Sequence, residues 1–553
     1  MVVLLVRRWS RAVRVVWLLS ASTAGALTLP LWPAVDVRIP WIPGSADIAL
    51  FFSLHVDALT TLFAMSAAVI AVAVALDDLR SPIPWRFVLG RQLALGFGLL
   101  VMAAANLAVA ASLLLVLPLA AGLARRFDDE PRLSALGGIF AAGCALLTAA
   151  AFGVAAPMGF ASLVLGLAFL LFQFPFHGLA ETALTGLRGA FAINLATIVL
   201  PGLAIAVRFS VDSSDPWRLQ AIAALGAATM ALTGLIAARA DSLARLLAST
   251  ASLQAGACLV ALGQGISPTQ PAAILIGPPA MLALAGLSLA FDRITEGSGI
   301  AGLGSLMGAG RSRPLTGLLM VTGALAVSPF PLIGGAAVGN AVSLAGALSD
   351  GRFVLAALAL VGLGGAAAGL GRMALTLFAP GAEPTGREQP IRLLAAALPI
   401  GVAVAAGVLA FTAIDPAARA AIAAFGARPR PTGGELFALP WYGGLGAFGG
   451  LIVAGVVGVL GGTMRGRPSS LPVRREVFEP GLVRLDDILE DRTEPLGEER
   501  VAPFETRVLL GRLAGVGRLI LWTFAQGLAL LEGRYYMATV LVLGLWILII
   551  FLG

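Results

Sequence analysis

Residues 173–208 read QFPFHGLAETALTGLRGAFAINLATIVLPGLAIAVR. They join the end of one apolar run, placed at 157–176, to a second placed at 189–207, with His177 and Glu181 four residues apart between them. Each run is close to the roughly 20 residues that carry a helix across a bilayer core. Such runs recur from Ala12 to the last residue, and no ten-residue alternating pattern of a transmembrane barrel competes with them. With 59% hydrophobic and 12% charged residues over 553 positions, and a mean hydropathy of +0.94, the chain falls outside the soluble globular range. The reading is an all-α polytopic membrane protein, which excludes a soluble enzyme with one anchor.

Spans are expected at about 12–30, 49–76, 89–105, 107–124, 133–155, 157–176, 189–207, 219–238, 246–264, 271–290, 315–349, 353–379, 391–412, 440–462 and 535–552, about 15 transmembrane helices in all. The stretch from Leu315 to Leu348 is too long for one straight crossing and holds Pro329, Pro331 and Gly334–Gly335, so a broken helix is expected there. Broken helices in membranes usually line polar cavities.

The formal charge is +7, yet the basic residues sit in short loops between apolar runs and form no single basic face, so they read as topology signals and not as a nucleic-acid footprint. All 37 are arginine; the chain has no lysine. Their concentration in alternate loops places the N-terminus in the cytoplasm. The stretch Arg7–Arg14 before an apolar run resembles a signal peptide, but no small-residue cleavage site precedes the proline-rich segment from Pro30, and an uncleaved first helix is expected. Cys144 and Cys258 lie in spans, without CxxC spacing or a His/Cys cluster, and His55 and His177 are the only imidazoles. No metal or cofactor is therefore expected in this chain. Walker A, HExxH and Ser/His/Asp patterns are absent, and nothing points to catalysis by this chain alone.

Five collinear motifs carry a family resemblance. QFPFH at Gln173–His177, with Ala183 and Gly186 beyond it, resembles the AQFPFHxWLPxAxxG segment of the antiporter-like membrane subunits of complex I, Mrp antiporters and membrane-bound hydrogenases. ARLLASTASLQAG at Ala244–Gly256 is similar to their KRxLAYSTxSQxG. FPLIGGAAVGN from Phe330 is similar to PPLSGFxSKD, Gly299–Met307 to GGLxxxMP, and LHVDALTTLF at Leu54–Phe63 to the VDGLSLLF entry to a helix. The C-terminal LLEGRYYMATVLVLGLWILI resembles the final helix of hydrogenase-4 and formate hydrogenlyase membrane subunits.

The resemblance implies a fourteen-helix antiporter-like core with two inverted five-helix repeats and broken helices, followed by a C-terminal amphipathic helix and a final transmembrane helix. It divides the chain into N-terminal helices (1–124), the core (125–462), a cytoplasmic loop (463–505), an amphipathic lateral helix (506–533) and the final span (534–553). The segment before the last span spaces Val508, Leu509, Leu513, Val516, Leu519, Ile520 and Phe524 helically, and suits either a membrane surface or a neighbouring subunit. The resemblance further implies a bacterial inner-membrane, NADH-quinone oxidoreductase-like or hydrogenase-like complex. Other membrane and peripheral subunits and lipids would be partners, iron–sulfur or nickel–iron centres and quinone would reside in those partners, and electron transfer would drive proton or cation translocation.

At the family's proton-carrying positions this sequence departs. The glutamate of NLLLLFLGWE aligns with Leu115, the lysine before the glutamine with Leu170, the histidine of LLHAATM with Leu195, and the two motif lysines with Ala244 and Val338. None can carry a proton, so a degenerate channel and a scaffold or partner-binding role are expected. The candidates left for an ion path are His177, Glu181, Asp57, Arg188, Arg245 and Arg372. The His177–Glu181 pair suits either proton loading or a hydrogen-bonded cap. Asp57 suits a helix start, Arg372 an ion pair or carbonyl contacts, and Arg245 the cytoplasmic end of its span. Arginine is effectively never deprotonated and can supply only a field. The alternative is retained transport by His177, Glu181 and waters, as in an antiporter or an inorganic-carbon uptake system.

Overall fold

The computed structural model describes residues 10–28, 35–40, 51–79, 85–123, 130–184, 189–210, 216–265, 269–294, 302–329, 333–380, 388–410 and 452. The chain divides into two compact units, Met1–Leu471 and Pro472–Gly553, and every described residue falls in the first. Apart from residue 452, the spans expected at 440–462 and 535–552, the loop 463–505 and the helix 506–533 lie outside the described residues, as does Arg188.

In chain order the elements are α1 (Ser10–Thr28), β1 (Val35–Pro40), β2 (Phe51–Val56), α2 (Ala58–Asp78), α3 (Trp85–Met102), α4 (Leu107–Leu123), α5 (Glu130–Phe152), α6 (Pro157–Leu170), α7 (Leu179–Leu184) and α8 (Ala190–Asn194). A π-helical turn, Leu195–Val199, leads from α8 into α9 (Leu200–Ser210). There follow α10 (Pro216–Arg239), α11 (Leu243–Gly263), α12 (Gln270–Ile294), α13 (Ala309–Ser312), α14 (Pro314–Val327), α15 (Gly335–Ser349), α16 (Phe353–Phe378) and α17 (Pro390–Val408). Among the described residues, 7 helical segments are long and apolar enough to cross a membrane, and shorter apolar helices accompany them. Every span expected before residue 412 has a helix at its place, and the all-α polytopic reading holds.

One expected span starts in the wrong place. The run placed at 49–76 is strand for its first part, because Phe51–Val56 pairs antiparallel with Val35–Pro40, in register from Val35↔Val56 to Pro40↔Phe51. The helix begins only at Ala58, after Asp57 in extended conformation accepts the Thr60 amide on its carboxylate at 2.8 Å. Hydropathy reads FFSLHV and the helix behind it as one run; the N-cap separates them.

The expected break between 315 and 349 is present. α14 stops at Val327, Ser328 is extended, and α15 restarts at Gly335. A second break follows α6, where Phe172 takes a positive φ of 53° and a 3-10 turn at Phe176–Gly178 precedes α7. The bundle is centred on α11. Every residue in its most apolar 18-residue window is buried, against 44% for α16 and α17, which turn much of their surface outward.

Close approach between helices relies on glycine, as expected where van der Waals packing and not the hydrophobic effect joins apolar helices in lipid. On α10, Gly234 lies against the backbone of Gly362 on α16, and Gly226 against that of Gly256 on α11, so tightly that an added Cβ would strike a carbonyl. Gly362→Val should therefore separate α10 from α16. Overpacking of this kind costs about 1–3 kcal/mol or more. The expected outcome is a clear fall in the detergent melting temperature, read by fluorescence-detected size exclusion, whereas Gly401→Val, at a position with open space around it, should leave melting nearly unchanged.

Candidate functional site

A break in a membrane helix frees backbone N–H and C=O groups that lipid cannot satisfy, and another part of the protein must do so. Here α11 serves both breaks. Gln254, fully buried in the middle of α11, donates through Nε2 to the carbonyl of Val327, the last residue of α14, at 3.1 Å. Its Oε1 accepts from Nδ2 of Asn340 on α15 at 3.1 Å. At the end of the same helix Gln264 donates through Nε2 to the Ser343 carbonyl at 2.8 Å and to Ser343 Oγ at 3.1 Å. At the other break Gln173 Nε2 donates to the Leu171 carbonyl at 2.7 Å and to the carbonyl of Ser252, on α11, at 3.3 Å. The Phe174 amide donates to Thr229 Oγ1 on α10 at 3.0 Å. The result is a buried ladder of amides and hydroxyls through the middle of the bundle, with no titratable member.

The polarity of the ladder is forced. A backbone carbonyl only accepts, so Gln254 must turn its nitrogen to Val327; its oxygen then faces Asn340, which must present its nitrogen in turn. Gln173 and Gln254 stand in the motifs quoted above. Asn340, Gln264, Ser343 and Thr229 were not singled out by the sequence; the available signal was an amide or hydroxyl inside an apolar run, where unpaired polar groups are expensive.

The sequence-derived positions fall into three groups. Leu170 and Leu195 are wholly buried among apolar neighbours, Leu170 against Gly202, while Leu115 packs against Gly143 and Val338 packs with Leu275 and Ala410. Ala244 lies in the first turn of α11, half-buried. His177 and Glu181 sit just past the first break, on the 3-10 turn and α7, with the His177 ring stacked on Phe174 and its Nδ1 buried without a hydrogen-bond partner. Arg245, in the first turn of α11, is near enough for its charge to act on both. Arg372 donates to the Ala240 carbonyl, just before α11. His177, Glu181 and Arg245 are thus brought together, and Asp57 is not with them.

Asp57 belongs to a different assembly. Arg208, at the end of α9, donates through Nη2 to Asp57 Oδ1 at 3.1 Å and to Thr60 Oγ1 at 2.8 Å, and through Nη1 to the carbonyls of Met102 and Ala104 at 3.0 and 2.6 Å. The Thr60 hydroxyl donates to the same carboxylate oxygen at 2.8 Å, and His55 Nε2 lies 3.6 Å from Oδ2. This buried cluster ties together the start of α2, the turn between α3 and α4, and the end of α9. At the opposite end of α2, Asp78 pairs with Arg91 at 2.6 Å and Asp77 faces Arg392 at 3.9 Å. Two aspartates at a helix C-terminus oppose the helix dipole, and the arginines of α3 and α17 offset them. Among the described residues, the buried charges Asp57, Asp77, Asp78, Arg208, Arg218, Arg313 and Arg392 lie at or near helix ends, and Arg91, further inside α3, pairs with Asp78 at the end of α2.

No protein-family model matches the sequence, and no curated protein matches it. Solved structures do match in fold. A chain of the Mrp complex from Dietzia sp. DQ12-45-1b is similar at TM-score 0.69 and 22% identity over 98% of this chain, which spans 60% of the length of that one. A chain of respiratory complex I from Thermus thermophilus gives 0.64 and 21%, covering 77% of this chain and 99% of its own. One from the membrane-bound sulfane sulfur reductase, an archaeal respiratory membrane complex, gives 0.63 and 19%, covering 76% and 92%.

Arg208→Ala should leave Asp57 as an uncompensated buried charge, a loss of about 3–5 kcal/mol, while Arg208→Ala combined with Asp57→Asn should recover part of it. Thermal melts of the three proteins in one detergent check the order wild type, double, single. Broken helices held to one central helix by neutral side chains are set on a fold that this chain shares with chains of the Mrp complex, respiratory complex I and the membrane-bound sulfane sulfur reductase.

Proposed function

We propose that this chain is a membrane subunit of a multi-subunit complex of the complex I and Mrp kind, and that it serves there as a scaffold for partner subunits without carrying protons through its own centre. The observation that carries this reading is the Gln264–Ser343 and Asn340–Gln254–Val327 ladder, which runs through the middle of the bundle without a titratable group. A relay needs groups that both take up and release a proton. Amide nitrogens only donate, amide oxygens only accept, and arginine keeps its proton. The aliphatic Leu115, Leu170, Leu195 and Val338 support the same reading. In it, electron transfer and any iron–sulfur, nickel–iron or quinone chemistry belong to partners of hydrogenase-like or NADH-quinone oxidoreductase-like type, in a bacterial inner membrane with this chain's N-terminus in the cytoplasm.

A second reading rests on one observation, the unpartnered buried Nδ1 of His177 beside Glu181 and Arg245. In that reading the chain moves protons or another cation by a route that enters at this cluster and continues through water.

The two readings separate in proteoliposomes loaded with a pH-sensitive dye. Under the scaffold reading the purified chain collapses an imposed pH gradient no faster than protein-free vesicles, and affinity purification in mild detergent brings down other membrane subunits identifiable by mass spectrometry. Flux above background that is lost in Glu181→Gln, with assembly and melting temperature intact, would overturn the scaffold reading in favour of transport.

A further inference from the structure

Between α10, α11, α15 and α16 lies a small cavity of about 10 Å³, lined by Met230, Ala257, Val260, Leu355 and Ala359 together with two polar side chains, Asn340 and Ser343. It has the room of about one water, since a cavity of roughly 10–15 Å³ on this measure holds one. Both polar residues are buried, Asn340 at 3% and Ser343 at 5% exposure. Asn340 spends its amide nitrogen on Gln254, and its Oδ1 accepts no hydrogen bond. Ser343 Oγ accepts from Gln264, and its own hydroxyl proton has no acceptor. One orphan acceptor and one orphan donor thus line the same small space.

We propose that Asn340 Oδ1 and Ser343 Oγ hold a single buried water, which accepts from the Ser343 hydroxyl and donates to the Asn340 carbonyl oxygen. A water needs two to four polar partners and finds two here. A monovalent or divalent cation would need several more oxygens, and the cavity supplies no carboxylate. With the water in place the ladder becomes continuous. Gln264 Nε2 donates to Ser343 Oγ, Ser343 to the water, the water to Asn340 Oδ1, Asn340 Nδ2 to Gln254 Oε1, and Gln254 Nε2 to the Val327 carbonyl. The Val327 and Ser343 carbonyls fix the sense of the amide links, and the Ser343 hydroxyl and the water turn to match them. The water therefore bridges Asn340 and Ser343 within α15 and completes a ladder whose contacts to Gln254 on α11 and to Gln264 at its end are made by those two side chains; the amides on either side of it can neither reverse nor pass on a proton. This assignment stands whether or not the chain moves ions elsewhere.

A cryo-EM map of the full chain in nanodiscs, fine enough to show buried waters, tests it directly. The expected result is a density peak within about 2.7–3.2 Å of both Asn340 Oδ1 and Ser343 Oγ; an empty cavity in a map that resolves other buried waters overturns it. A second test reads the sign of a cavity-filling change. Ala359→Val should displace the water, strand both polar groups and lower the melting temperature by several degrees, while Ala359→Ser, whose hydroxyl can take the water's place, should lower it less. A Val variant as stable as wild type, or more so, means that the cavity is dry and overturns the proposal. A melting temperature that rises with sodium chloride but not with choline chloride assigns the site to a cation and overturns it equally.

Discussion

A polypeptide that interrupts a helix inside a bilayer exposes backbone groups that lipid cannot solvate, and this constraint organises the whole centre of the molecule. Among the described residues the chain interrupts a helix after Leu170 and another after Val327, and answers both with side chains or carbonyls of one continuous helix, Leu243–Gly263. That helix is buried on every side, as its task requires: it must reach one break through Ser252 and the other through Gln254, two residues further on. Around it, glycines let the neighbouring backbones approach closely enough for amide side chains to span the gaps.

The second organising choice is the placement of charge. A buried ionic group is tolerated when it is paired and hydrogen-bonded, and the arginines meet that condition at the helix ends, where free carbonyls are available. Arg208 takes two carbonyls and one carboxylate, and Arg218 takes the carbonyls of Val154 and Ala155 while lying over Phe160 and Trp217. The guanidinium is suited to this by its fork of donors. A chain without lysine thus has cations well adapted to tying helix ends together and ill adapted to exchanging protons, and the neutral ladder between the two ends is consistent with that division of labour.

Much of the architecture was legible in the sequence, because an apolar run of spanning length has few alternatives and the motif order limits the rest. The break after Val327 could be read from Pro329, Pro331 and the paired glycines. The strand at Phe51–Val56 could not, because a short apolar run has the same hydropathy in either conformation and only the cap at Asp57 distinguishes them. Leu115, Leu170, Leu195 and Val338 were legible in the sequence as aliphatic residues at motif positions. The buried ladder was hidden, since Asn340 and Ser343 are ordinary polar residues until the fold sets them beside Gln254 and Gln264. Long-range pairs such as Asp57 with Arg208 carry no local signature at all.

That last pair also bears on how the protein is made. Asp57 and Arg208 are separated by 151 positions in the chain, with several apolar segments between them. During synthesis the aspartate that opens α2 reaches the membrane well before its arginine has been translated. Until the ninth helix arrives, the start of α2 carries an unmatched carboxylate whose comfortable place is the water boundary and not the interior. Assembly from the N-terminus therefore stays provisional, and one late segment, by delivering a single guanidinium, closes a structure whose earlier parts have been waiting for it.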